Sequence, residues 1–112
     1  MGFLAFQAVP ITTVELAASE VGHSQVADVQ DAVELYMTLN VSAASASLTV
    51  NWEKSVDGFT WENGGNFTAT SNPNVETLTV TSGIYRFLRF KYTLASAGTS
   101  TFQINVFTKN YS

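Results

Sequence analysis

Apolar and polar residues alternate along most of this chain. From Glu34 the run ELYMTLNV puts Leu35, Met37, Leu39 and Val41 on one face. SLTVNWE does the same with Leu48, Val50 and Trp52, and VETLTVT with Leu78 and Val80. YRFLRFKYTL turns Leu88, Phe90, Tyr92 and Leu94 one way, and Tyr85, Phe87, Arg89 and Lys91 the other. TFQINVF aligns Phe102, Ile104 and Val106. A period of two marks strands buried on one side. The Thr, Val, Phe and Tyr content suits such a pleated surface.

Turn residues separate these runs. SAASAS (42–47), Asp57-Gly58, Asn63-Gly64-Gly65, SNPN (71–74), Ser82-Gly83 and ASAGTS (95–100) all interrupt the alternation. The spacing predicts a single antiparallel β-sandwich of about eight strands, jelly-roll or immunoglobulin-like. In VADVQDAVELYM a short helical turn capped by Asp28 competes with a strand over 24–29 and a turn at Gln30-Asp31; the strand is preferred. The aromatic-rich stretch WEKSVDGFTWENGGNF (52–67) reads as a hairpin turning at Asp57-Gly58. Trp52 continues the inward face of its strand, and Phe59 and Trp61 share a face on the return.

The first ten residues, MGFLAFQAVP, are apolar without clear alternation. They predict an N-terminal arm or edge strand over 1–10 that ends at Pro10, ahead of a sandwich domain over 11–112. Phe3, Leu4, Phe6 and Val9 are the candidate partner-binding residues. They are too many apolar groups for a free terminus, and termini stay disordered unless something ties them down. The alternative is that they form the first strand of their own sandwich.

Composition narrows the function. A chain of 112 residues is one domain and can bury a core without staples. It has no cysteine, so disulfides and thiolate chemistry are excluded. No apolar run reaches the length of a membrane span, and no basic residue precedes the N-terminal apolar run as in a secretory signal. Net charge is −4 with five basic residues, which argues against nucleic acid as a partner. All five lie from Lys54 onward, while the chain before Lys54 carries only acidic charge. This asymmetry suits contact with a partner or pairing of the two halves within one fold.

Catalytic candidates are few. His23 is the single histidine and reads as a solvated loop residue, which excludes a histidine metal cluster. No serine sits in a nucleophile elbow. Glu53, Asp57 and Glu62 flank one hairpin beside Trp52 and Trp61, where a glycosidase pair or sugar platform could be built. A turn tip is too wet to raise a carboxylate pKa, so solvated turn charges fit better. No calcium-loop spacing occurs. The expectation is a protein without catalytic, metal or cofactor sites.

The segment ELYMTLNVSAASASLTVNWEKSVDGFTW, the later YRFLRFKYTL, and STFQINVF resemble a family of small phage virion proteins. The matching residues are Leu39, Val41, Leu48, Val50, Trp52, Ser55, Asp57, Gly58, Thr60, Trp61, Tyr85, Arg89, Tyr92, Leu94, Gly98, Thr99, Ser100 and Phe102. The resemblance covers roughly residues 24–109 and leaves the apolar N-terminus unmatched. The S-x-D-G-x-T-W hairpin is also similar to that of discoidin-type sandwiches, which bind sugars or lipids. The phage family implies a structural protein without enzymatic activity. Its implied role is a capsid decoration or cement protein on the head surface, made in the host cytoplasm. The implied partners are the major capsid protein and neighbouring copies, with no membrane or nucleic acid. A tail, neck or other minor virion protein and a carbohydrate-binding module are the alternatives.

Overall fold

Alternation at the expected positions folds into nine strands among the described residues. The computed structural model describes residues 2–18, 20–29 and 32–110, with side chains from Ala5 onward. The strands are β1 (Gly2–Leu16), β2 (Val21–His23), β3 (Ala27–Asp28), β4 (Ala32–Ala44), β5 (Leu48–Ser55), β6 (Glu62–Asn66), β7 (Asn74–Val80), β8 (Phe87–Leu94) and β9 (Gly98–Asn110). Where the described residues cover the segment that competed as a helix, they form β3 and the start of β4. The turn expected at Gln30-Asp31 lies outside the described residues.

The strands form two antiparallel sheets. One runs β1-β9-β4-β7 and the other β2-β8-β5-β6, with β3 also pairing with β8. Strands β2 and β3 lie end to end against β8, at Thr93–Lys91 and at Leu88–Phe87. Taken as one interrupted strand, they leave two four-stranded sheets whose order, renumbered, is 1-8-3-6 and 2-7-4-5. This is the jelly-roll member of the two expected architectures.

The core fills the space between the sheets. The first sheet contributes Leu35, Met37, Leu39 and Val41 from β4 and Phe102, Ile104 and Val106 from β9; the second contributes Leu48, Val50 and Trp52 from β5 and Leu88, Phe90 and Leu94 from β8. All are buried, as the alternation predicts. Tyr92 is half-buried and meets Phe102 edge to face across the sheets, with centroids 5.3 Å apart. Leu78 and Val80 of β7 pack on the margin of this core.

Among the described residues, three Lys or Arg side chains pair with carboxylates distant in sequence. Arg86 meets Asp28 at 3.1 Å, Arg89 meets Glu53 at 2.7 Å and Lys109 meets Glu34 at 3.8 Å. Each joins an acid from the first half of the chain to a base from the second. The charge asymmetry of the sequence is thus used inside one fold.

Strand β1 runs unbroken through Pro10. It pairs with β9 from Gly2↔Asn110 to Leu16↔Gly98, with register shifts between Gln7 and Val9 and between Val9 and Thr12. Proline removes a ladder donor and is accommodated on an edge strand or at a bulge. Here Pro10 has both conditions.

The Asn63-Gly64-Gly65 triplet departs from its expectation. It is not a turn but part of β6, with the register shifted opposite Trp52 and Glu53. The glycines are required by packing. A Cβ on Gly64 would strike the Trp52 ring, and one on Gly65 would lie 2.9 Å from the indole nitrogen. Removing those side chains lets the strand lie directly on the indole.

Candidate functional site

The side chains of Phe3 and Leu4 lie outside the described ones. Their backbones pair with Lys109 and Thr108. Val9 is buried in the core and Phe6 is half-buried against it. Both therefore serve their own sandwich, while Ala5 is exposed beside them.

Ala5 sits opposite Phe107 in the ladder, and Phe107 sits opposite Tyr36. Phe107 is 40% exposed and meets Tyr36 edge to face at 5.9 Å. A depression of about 530 Å³ forms here, with Phe6, Gln7, Thr38, Asn105 and Val106 completing its lining. Tyr36 donates a hydrogen bond to Glu34 at 2.9 Å, which raises the hydroxyl above its usual pKa. Below this patch the outer face is rich in hydroxyls. Thr38 bonds Thr77 at 2.9 Å and Thr13 bonds Thr101 at 2.7 Å. Alternation alone does not single out Phe107. The available signal is Val106-Phe107, two adjacent apolar residues that cannot both face inward.

The second sheet presents a different outer face. Arg89 donates to Glu53 and stacks its guanidinium 4.2 Å from the Trp61 ring centre. His23 stands 3.7 Å from the same Glu53 oxygen. It lies on β2, not in the expected loop. Lys91 is registered between His23 on one side and Asn51 on the other. Asn51 donates an amide proton to Asn66 at 2.5 Å.

Residues 56–61 bring Trp61 onto this face. The hairpin does not turn tightly at Asp57-Gly58, because the return strand begins only at Glu62. Ser55 is buried at the start of the loop, donates to Asp57 at 2.9 Å and accepts from the Gly58 amide at 2.9 Å. The Asp57 carboxylate accepts from the amides of Phe59 and Thr60, both at 2.8 Å. Gly58, with φ of 81°, adopts the left-handed conformation that glycine tolerates. Phe59 stands at the tip, 89% exposed. It does not share a packed face with Trp61 as the simple hairpin predicts.

The Thr60 and Phe59 amides, followed by the Ser55 hydroxyl, lower the Asp57 pKa from 3.8 to about 2. A depressed carboxylate pKa stabilises the fold at and above the ordinary range, and that stabilisation is lost as pH falls through the folded value. The Asp57 carboxyl is therefore expected to titrate near pH 2 by NMR, with the Phe59 and Thr60 amide shifts moving in step. A midpoint near the ordinary value would show that these amides do not hold the carboxylate.

Among the described residues Lys54 makes no ion pair within 4 Å, although Glu62 faces it in the ladder. Its ammonium lies 4.4 Å from the Tyr85 ring centre and donates to the Gly83 carbonyl at 3.2 Å. Among the described residues no group of His, Asp and Glu has the arrangement to hold a metal ion. Glu53, Asp57 and Glu62 do not form a paired carboxylate site. Glu53 is bound to Arg89, Asp57 to its own loop, and Glu62 faces Lys54 in the ladder.

No family model matches the chain, and no curated protein matches it in sequence. Its fold has clear counterparts. The PBSX exported protein XepA superposes with a TM-score of 0.68 at 18% identity, over 97% of this chain and 38% of that one. A Bacillus endospore appendage protein, from disulfide-linked pili, gives 0.58 at 14% identity over 99% and 93%. A chain of the infectious bursal disease virus Gx strain gives 0.60 at 9% over 97% and 32%. This chain thus spans 38% of XepA and about a third of the viral chain. At these identities the likeness is one of fold. It places the chain among β-sandwich domains that occur in phage, viral and appendage proteins.

Proposed function

We propose that this protein is a structural component of a phage virion. It decorates the head surface, is held there by the major capsid protein and neighbouring copies, and performs no catalysis. The observation that carries this reading is the outer rim of β1. From Gly2 to Gln7 the strand is in regular register with β9, uncharged and free of proline. Such an edge is a template for pairing with another chain. The other edges are blunted. Strand β2 has three residues, β6 is short and irregular and carries Glu62, and β7 carries Glu76. The Tyr36–Phe107 patch beside the rim offers apolar area to whatever pairs there. Neighbours of the same fold in phage and viral proteins support the setting.

Purified particles are expected to carry the protein in numbers comparable to the major capsid protein. A few copies per particle would instead indicate a tail or neck component. The substitution Ala5→Lys places a charge on the exposed rim, a device that natural edge strands use against pairing. It is expected to leave the melting temperature within a few degrees and to abolish reattachment to stripped particles. Unchanged attachment of Ala5→Lys would remove the β1 rim from the interface.

A further inference from the structure

We propose that the outer face of the second sheet binds an acidic polysaccharide, a chain of carboxylate-bearing sugars, through Lys91, Asn51 and Trp61. This goes beyond the particle-structural reading and does not depend on it.

The inference starts from charge. The protein carries −4 overall, yet this face gathers the cations Arg89 and Lys91 with the carboxylate of Glu53, and His23 beside it. Glu53 is already committed to Arg89, and its side chain is only 14% exposed. Among the described residues no carboxylate pairs with Lys91. A cation at the centre of a sheet, on an acidic protein and without a partner, attracts an anionic ligand.

The neighbours of Lys91 decide the kind of anion. Asn51 stands next to it, positioned by its bond to Asn66. A planar amide beside an ammonium suits a ring that carries a carboxylate and hydroxyls together. Trp61 supplies an aromatic surface for the C–H side of a sugar, and its stacking with Arg89 fixes the ring in place. Arg89 is a positioning residue here, since Glu53 and Trp61 use its guanidinium. Lys91 and Asn51 on adjacent strands and Trp61 on the neighbouring loop spread the contacts over several elements, which suits a polymer better than a small molecule. Only Phe59 and Val56 project from the adjoining loop as exposed apolar groups. That is little apolar area for insertion into a bilayer.

The test uses the isolated full-length protein in affinity electrophoresis. Polygalacturonate is the acidic probe, dextran the neutral one, and phosphatidylglycerol vesicles the competing anionic surface. Polygalacturonate is expected to retard the protein, and dextran is not. Lys91→Ala and Trp61→Ala are each expected to weaken retardation about tenfold or more, a difference of one decade in dissociation constant. Raising salt from about 50 to about 500 mM should weaken it as well. Thermal melts check each variant, and Lys91→Glu on the open face replaces Trp61→Ala if that one does not fold. No retardation by polygalacturonate overturns the proposal. So does equal retardation by dextran, indifference to the Lys91 substitutions, or binding to the vesicles in place of the polysaccharide.

Discussion

Replacing Trp52 with alanine is expected to lower the unfolding free energy by about 3–5 kcal/mol. The indole is 5% exposed and lies opposite Phe90 in the ladder of the second sheet. Gly64 and Gly65 of β6 lie against the ring, so its removal empties the core space that covers them. Nothing small can fill that space, because the two residues that would collapse into it have no side chains. Domains are stable by about 5–15 kcal/mol in total, so the variant should unfold at a far lower urea concentration. An unchanged midpoint would place the indole outside the core and make it available as a surface aromatic.

Deleting residues 2–9 should be similarly damaging. The deletion takes Val9 out of the core and Phe6 from its margin. Full burial of one such side chain contributes about 1.5–3 kcal/mol. The deletion also strips the partner from β9 between Ile104 and Asn110. Each lost ladder hydrogen bond adds roughly 0.5–1.5 kcal/mol. The truncated protein is expected to be unfolded or barely folded by near-ultraviolet circular dichroism. A truncated protein with a sharp transition at the original midpoint would mean that the segment is a detachable arm.

The parts of this fold that were legible in the sequence are those governed by alternation. Every inward position assigned to β4, β5 and β9 is buried, because a period of two fixes the face once one residue is placed. Turn chemistry was less informative. Asn63-Gly64-Gly65 has the composition of a hairpin turn, yet its glycines answer a steric demand from Trp52, twelve residues earlier for Gly64. Asp57-Gly58 does bend the chain, but through a side-chain-capped loop whose length depends on Ser55. The N-terminal residues hid their alternation because the register slips between Gln7 and Val9, which puts Phe6 and Val9 on the same side at an odd spacing. The surfaces were harder still. Tyr36 and Phe107 are far apart in sequence and meet only through the register of β4 against β9. Trp61 reaches Arg89 only because the 56–61 loop folds back over the sheet. Contacts of that kind depend on tertiary geometry that no local window contains.

The strand order also has a consequence for how the molecule is made. In the first sheet β9 lies between β1 and β4, so the last of the nine described strands to be synthesised is an inner strand. Strands β1 and β4 have no direct pairing and cannot join until it arrives. The second sheet is complete at β8, and its β5–β8 ladder can form while β9 is still being synthesised. Until then Leu35, Met37, Leu39 and Val41 face a half-built core. Folding of the first sheet therefore waits for β9, and its pairing of strands far apart in sequence makes it slow. During that interval the waiting strands are exposed to other nascent copies, and a ribosome stalled before Gly98 should display a chain that chaperones recognise.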